Sequence, residues 1–181
     1  MIKRYINYFI SFSITGWILE VITYFLSTGT YLNCGMFHGP WIPIYGWGGL
    51  FIIAMFYKYK DKFNPVILFL MCGISCSILE YITSWVIEET LNIKWWDYSD
   101  MIFNLNGRIC LFSFIIFGLL GVFAIKFYAP FLDKLLASSN KEISTIVLLI
   151  LSIIYLSDLF YSFKNPNISE NKESNIILEC I

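Results

Sequence analysis

The sequence predicts an all-helical integral membrane protein with about five transmembrane helices. Three observations carry that prediction. The 181-residue chain is 58% hydrophobic and only 14% charged, against about a quarter charged in a soluble domain. Apolar stretches of about 20 residues, enough to cross a bilayer as helix, recur along it. One hexapeptide pattern occurs twice, ILEVIT at 18–23 and ILEYIT at 78–83, and each copy sets a carboxylate, Glu20 or Glu80, inside an apolar run.

The first span is expected from Tyr5 to Ser27, behind the basic start MIKRY. No small-x-small cleavage site follows it, so an uncleaved helix is expected rather than a signal peptide. The second span is expected from Trp41 to Tyr57, the third from Pro65 to Ile87, the fourth from Ile109 to Tyr128 and the fifth from Ile143 to Phe163. These make one transmembrane domain, residues 1–163. Between the fourth and fifth, APFLDKLLASSNKE (129–142) is amphipathic and is expected to lie along the membrane surface. The polar segment 164–181 is expected to be a disordered tail.

Lys and Arg in short loops set orientation. Lys3, Arg4, Lys58, Lys60, Lys62, Lys126, Lys134 and Lys141 would share one side, and Lys94, Arg108, Lys164 and Lys172 the other. That bias predicts a cytoplasmic N-terminus and a C-terminus outside. A net charge of −1 offers no basic face to nucleic acid. The cysteine count, five, is odd, and with a single histidine zinc chemistry is expected to have too few ligands of the usual kind. Cys72 and Cys76, one turn apart, are expected to be small packing residues, and neither Cys34 nor Cys110 has a spacing that argues for a disulfide. No cofactor and no metal site are expected.

A second relation accompanies the hexapeptides. Gly35, Gly46 and Gly49 recur 72 residues later as Gly107, Gly118 and Gly121. Spans one–two and three–four are therefore expected to be tandem copies of one hairpin in the same orientation, related by an axis along the membrane normal. Glu20, Glu80 and Asp158 each lie 15 residues into a span entering from the same side. At about 1.5 Å per residue that places all three in the outer half of the bilayer. A charge near a helix centre costs roughly 2.5–3.5 kcal/mol on insertion scales, so such groups face the bundle interior, pair, or line a wet cavity. Ser13 and Gly16 near Glu20, and Gly73 and Cys76 near Glu80, would let helices approach closely.

The outer loops hold further polar candidates. NCGMFHGPWIPIYGWGG (33–49) is too rich in Gly and Pro for plain helix through its first part. It is expected to dip inward and carries His38. KWWDYSDMIFNLNGRI (94–109) suits an interfacial aromatic belt through Trp95, Trp96 and Tyr98. It also packs Asp97, Asn104, Asn106 and Arg108 just before the fourth span, with Arg108 the best cationic partner for the acids. The candidate substrate- or proton-binding set is Glu20, Glu80, Asp158, His38, Arg108, Asp97, Asn104 and Asn106. A structural ion-pair lock is the competing expectation.

The strings GWILEV, GPWIPIYGWG, LEYITSWVIE, WWDYSD and FNLNGRICL together resemble the putative ABC-transporter type IV permease family of small multi-spanning bacterial membrane proteins. The resemblance covers roughly residues 10–125. It implies a multi-pass plasma-membrane protein with a permease-like role. The chain has no GxxxxGK[ST] phosphate loop, so any ATP hydrolysis must come from a separate subunit, for which Ala129 to Glu142 is the expected dock. Three functions compete. A transport component with Glu20 and Glu80 at its site ranks first. A membrane enzyme acting on a lipid or envelope precursor, with a glutamate as acid or base, His38 as shuttle and Arg108 as phosphate anchor, ranks second. A structural or sensory subunit ranks third.

Overall fold

Pro and Asn punctuate the apolar chain into helices. The computed structural model describes residues 2–92, 94 and 96–167. Its helices are α1 (Ile2–Thr28), α2 (Pro43–Phe56), α3 (Pro65–Leu91), α4 (Leu111–Phe123), α5 (Ala129–Ser138) and α6 (Lys141–Lys164). Asn64 starts α3 by accepting the Ile67 N–H at 2.8 Å, with Pro65 in the first turn. There proline's missing donor costs nothing. Asn92 ends the same helix in the left-handed region, φ 52°, a conformation that asparagine tolerates. Asn140 caps α6 through the Glu142 and Ile143 N–H groups, a contribution of about 1 kcal/mol.

Among the described residues four helical runs are long and apolar enough to cross a membrane: Ile2–Thr28, Pro65–Thr90, Leu111–Ser138 and Lys141–Lys164. The expected second span is the exception. α2 has 14 residues, or about 21 Å of helix against a hydrocarbon core of about 30 Å. A 3-10 turn, Tyr57–Tyr59, follows it. Gly39, Pro40 and Pro43 keep the preceding chain out of helix, so helix begins only at Pro43. The surface helix expected at 129–142 is also corrected. α4 continues through a π turn, Ala124–Tyr128, directly into α5. Pro130 does not break the run because it follows directly on the π turn, where the Ala129 N–H bonds the Ala124 carbonyl five residues back, the kind of local adjustment that accommodates proline inside an apolar helix.

The chain divides into two compact units, residues 2–50 with 130–167, and residues 51–129. In the first, α2 runs antiparallel to α1. Tyr45 lies against Gly16, and Gly49 lies against Phe12, whose ring would be 2.5 Å from a Cβ there. The irregular segment before α2 reaches deep along α1. Asn33 accepts the Trp17 indole N–H at 2.7 Å, and the Ile42 N–H bonds the Ser13 carbonyl at 3.1 Å. Backbone of this kind is tolerated at membrane depth only inside protein or beside water. Here Cys34 and Ile42 are buried under Trp17, Val21, Tyr24, Leu32 and Tyr45. Cys34 is disulfide-bonded, against the sequence expectation, because spacing along the chain does not show which thiols the fold brings together.

α6 runs parallel to α1 in this unit. The Lys3 ammonium bonds the Lys141 carbonyl and the Ser144 and Thr145 hydroxyls at one end. At the other end Asp158 holds the 38–41 segment. The Arg4 guanidinium grips Asp133 of α5 with two bonds, 2.7 and 2.6 Å, and the Tyr8 hydroxyl donates to the same carboxylate. The start of the expected disordered tail is ordered instead. The Asn167 amide donates to the Asn33, Gly35 and Phe37 carbonyls, and its backbone N–H to Met36. The rest of that expectation, residues 168–181, lies outside the described residues, as does Trp95.

In the second unit α4 packs antiparallel on α3. Arg108 meets Glu88 near one end, and Gly121 meets Cys72 further along. Cys110 and Ser113 form a reciprocal cap at the start of α4. Asn106 and Gly107, at φ 55° and 68°, turn the chain into it.

Candidate functional site

Glu20 sits on the inner face of α1, one turn beyond Gly16. Because residue 16 has no side chain, the Tyr45 ring settles over it, and the Tyr45 hydroxyl reaches Glu20 Oε1. Glu20 as a whole is 5% exposed. Its second oxygen, Oε2, is buried without a hydrogen-bond partner among the described residues.

Glu80 repeats the arrangement in the second unit. The Tyr98 hydroxyl donates to Glu80 Oε1 at 3.2 Å, and Oε2 is again buried and unpartnered. Cys76, one turn earlier on α3, is a free thiol. Among the described residues no Lys, Arg or His forms a salt bridge with either glutamate.

Asp158 is bonded quite differently. Its Oδ2 accepts the Trp41 indole N–H at 2.6 Å and the Gly39 N–H at 3.0 Å. Its Oδ1 accepts the Ser162 hydroxyl at 3.0 Å and the His38 N–H at 3.3 Å. His38 Nδ1 stands 3.1 Å from the same Ser162 hydroxyl, and its ring packs edge-on against Tyr161. The structure thus brings His38 and Asp158 together, while Glu20 is bonded to Tyr45.

Arg108 pairs with Glu88, an acid the sequence did not single out. Its Nη2 donates to Glu88 Oε2 at 2.6 Å and its guanidinium lies over the Tyr81 ring. The Trp96 indole fixes the Arg108 carbonyl, and Asn106 donates to the Tyr81 hydroxyl at 2.8 Å. Asn104 closes the loop on itself, donating to the Ser99 and Met101 carbonyls and accepting the Gly107 N–H. Asp97 takes the Ser99 hydroxyl and N–H, with Lys94 at 3.3 Å. The Ser99 hydroxyl is the main cause holding the Asp97 carboxyl below the usual carboxylate range.

The tyrosines are the site residues that sequence reasoning missed. Tyr45 had a signal, since it follows a proline-rich turn at the start of a helix facing Gly16. Tyr98 and Glu88 had none beyond lying on the same connection and helix as named residues. No cluster of three metal-ligating side chains occurs among the described residues.

A family described as putative ABC-transporter type IV matches residues 7–163. The chain belongs to that family. Its four long apolar helices fit a multi-pass membrane protein of such a family. Neither a curated protein nor a solved structure matches the chain.

Proposed function

We propose that the protein is a permease-like transport component whose proton- or cation-handling groups are Glu20 and Glu80. The observation that carries this reading is the shared state of the two carboxyls. Each carries a tyrosine hydroxyl on one oxygen and has a second oxygen buried without a hydrogen-bond partner among the described residues. Glu20 is buried, and Glu80, with the Ser113 hydroxyl also beside its carboxyl, is half-buried. An ionisable group inside a membrane protein is expensive and marks ion pathways and proton relays. A tyrosine donor orients such a carboxyl without neutralising it, so the second oxygen stays available to a proton or a cation.

The tandem-hairpin arrangement supports treating the two acids as equivalents. Gly46 lies against Phe9 and Gly118 against Phe69; Gly49 lies against Phe12 and Gly121 against Cys72. Both α1 contacts recur on α3 sixty residues later, and both glycines recur seventy-two residues later. Five crossings follow if the 29–42 segment and α2 together make the return pass in the first hairpin. The parallel course of α1 and α6 supports that count. The lysine bias favours a cytoplasmic N-terminus, which puts Arg4, Asp133 and α5 at the cytoplasmic end. There Ala129 to Glu142 would offer a separate ATPase a helix already anchored through Arg4.

The enzyme reading is weaker. Arg108, its phosphate anchor, is occupied by Glu88, and Ser162 beside His38 is fully buried. The test is to purify the tagged protein in gentle detergent from its native membrane, identify what accompanies it, and measure proton flux in proteoliposomes. A stoichiometric ATP-binding subunit, or a flux that Glu20→Gln abolishes, supports transport. A monodisperse preparation with neither overturns it.

A further inference from the structure

We propose that residues 51–129 carry a binding site for an anionic phospholipid, with an acyl chain in the groove between α3 and α4 and the phosphate on Lys58, Lys60 and Lys62. The groove has a volume of about 400 Å³ and is lined by Pro65, Val66, Phe69, Leu119, Phe123 and Phe127 among others, all apolar. It belongs to two helices long and apolar enough to cross the membrane, so its occupant is a hydrocarbon chain.

The polar end is equally defined. Pro65 opens the groove at the first turn of α3, immediately after the segment 57–64, which carries the three lysines and one acid, Asp61. Phe127 adjoins Lys126, whose ammonium bonds the Lys60 carbonyl. That bond ties the lysine segment to the mouth of the groove. The π turn, Ala124–Tyr128, contains both Lys126 and Phe127. Lys58 and Lys60 lie over the Tyr59 and Tyr57 rings at 4.7 and 4.9 Å, which holds their stems along an aromatic surface suited to the interface. Among the described residues Lys58, Lys60 and Lys62 form no salt bridge. Three lysines and Lys126 against one aspartate leave a local charge that an anionic headgroup complements, and basic pockets beside transmembrane helices bind such headgroups. This assignment stands independently of the role of Glu20 and Glu80.

The experiment is native mass spectrometry of the detergent-purified protein offered equimolar dioleoyl phosphatidylglycerol and dioleoyl phosphatidylcholine. Wild type is expected to retain the anionic lipid in preference. The variant Lys58→Gln/Lys60→Gln/Lys62→Gln is expected to lose that preference by about tenfold or more, since lysines beside the membrane surface attract anionic headgroups. Leu119→Trp fills the groove with the lysines intact and is expected to reduce retention of phosphatidylglycerol. Equal retention of the two lipids by wild type overturns the site outright. A preference that survives the triple variant overturns the headgroup assignment. Displacement by glycerol 3-phosphate, with Leu119→Trp behaving as wild type, overturns the acyl-chain assignment.

Discussion

Asp158 and Glu20 are both carboxylates on apolar helices of one unit, and they are solvated in opposite ways. Asp158 accepts four hydrogen bonds, from Trp41, Gly39, Ser162 and His38, and spends both oxygens fastening α6 to the 38–41 segment. Glu20 accepts from Tyr45 and leaves Oε2 with no partner. A carboxylate supplied with fixed donors is a structural rivet, because its solvation has been replaced by the protein. A carboxyl supplied with one donor is incomplete and can take up what completes it. The second unit repeats the contrast in part: Glu88 is closed by Arg108, while Glu80 keeps one oxygen unpartnered although the Tyr98 and Ser113 hydroxyls stand beside its carboxyl. Residue type alone therefore does not separate the two kinds of carboxyl; the donors around each do.

The sharpest break of this comparison is functional. Glu20→Gln with Glu80→Gln is expected to reduce transport or proton flux to background while the protein stays monodisperse, because glutamine keeps the volume and can still accept from tyrosine. Asp158→Asn is expected to do the reverse. Losing charge-assisted bonds at about 1.5–3 kcal/mol should lower the unfolding temperature in detergent, with flux per folded molecule unchanged. If Asp158→Asn stopped flux without a thermal shift, the rivet would be a site, and the distinction would fail.

Much of the fold was legible, and so was part of the candidate site's geometry. Long apolar runs bounded by Asn, Pro and Lys located α1, α3 and α6 to within a few residues, because span length follows from bilayer thickness. The second span was misjudged because apolar composition from Trp41 to Tyr57 says nothing of where the backbone can be helical. Pro40 and Pro43 decide that, and they leave α2 too short. The surface helix was misjudged because amphipathicity at 129–142 was taken as a separate element, whereas the π turn lets α4 run on. Glu20 and Glu80 were readable from their repeated hexapeptide. Their tyrosine partners were not, since Tyr45 and Tyr98 occupy unrelated positions, one on a helix and one in a loop. Arg108 was expected on an acid and is on one, but the choice of Glu88 depended on loop geometry that spacing does not reveal.

A smaller effect sharpens the comparison from the packing side. Gly16→Ala would put a methyl against the Tyr45 ring, and overpacking of this kind costs about 1–3 kcal/mol. The ring must shift, and its hydroxyl then leaves Glu20. The expected outcome is a lowered unfolding temperature together with reduced flux, since one substitution disturbs both packing and carboxyl orientation. Gly48→Ala is the control, because a Cβ there meets nothing within 4 Å. It should be neutral in both measurements.

The smallest effect asks whether the tyrosines orient or merely pack. Tyr45→Phe and Tyr98→Phe keep the ring and delete the hydroxyl. Each removes one hydrogen bond to its glutamate, a net effect on the order of 1 kcal/mol. Glu20 then keeps no fixed donor among the described residues, and Glu80 keeps the neighbouring Ser113 hydroxyl. Stability should fall slightly and equally in the two variants if the hairpins are equivalent. Flux should fall while its pH profile moves, because the group whose proton is exchanged has lost the donor that oriented it. The two tyrosines come from different elements, so a matching shift in the pH profile cannot arise from a shared packing defect. It would mean that Glu20 and Glu80 do the same work in the two hairpins. A shift in one variant alone would assign the proton to that glutamate and leave the other as a buried acid of the lock type, closed by a group other than its tyrosine.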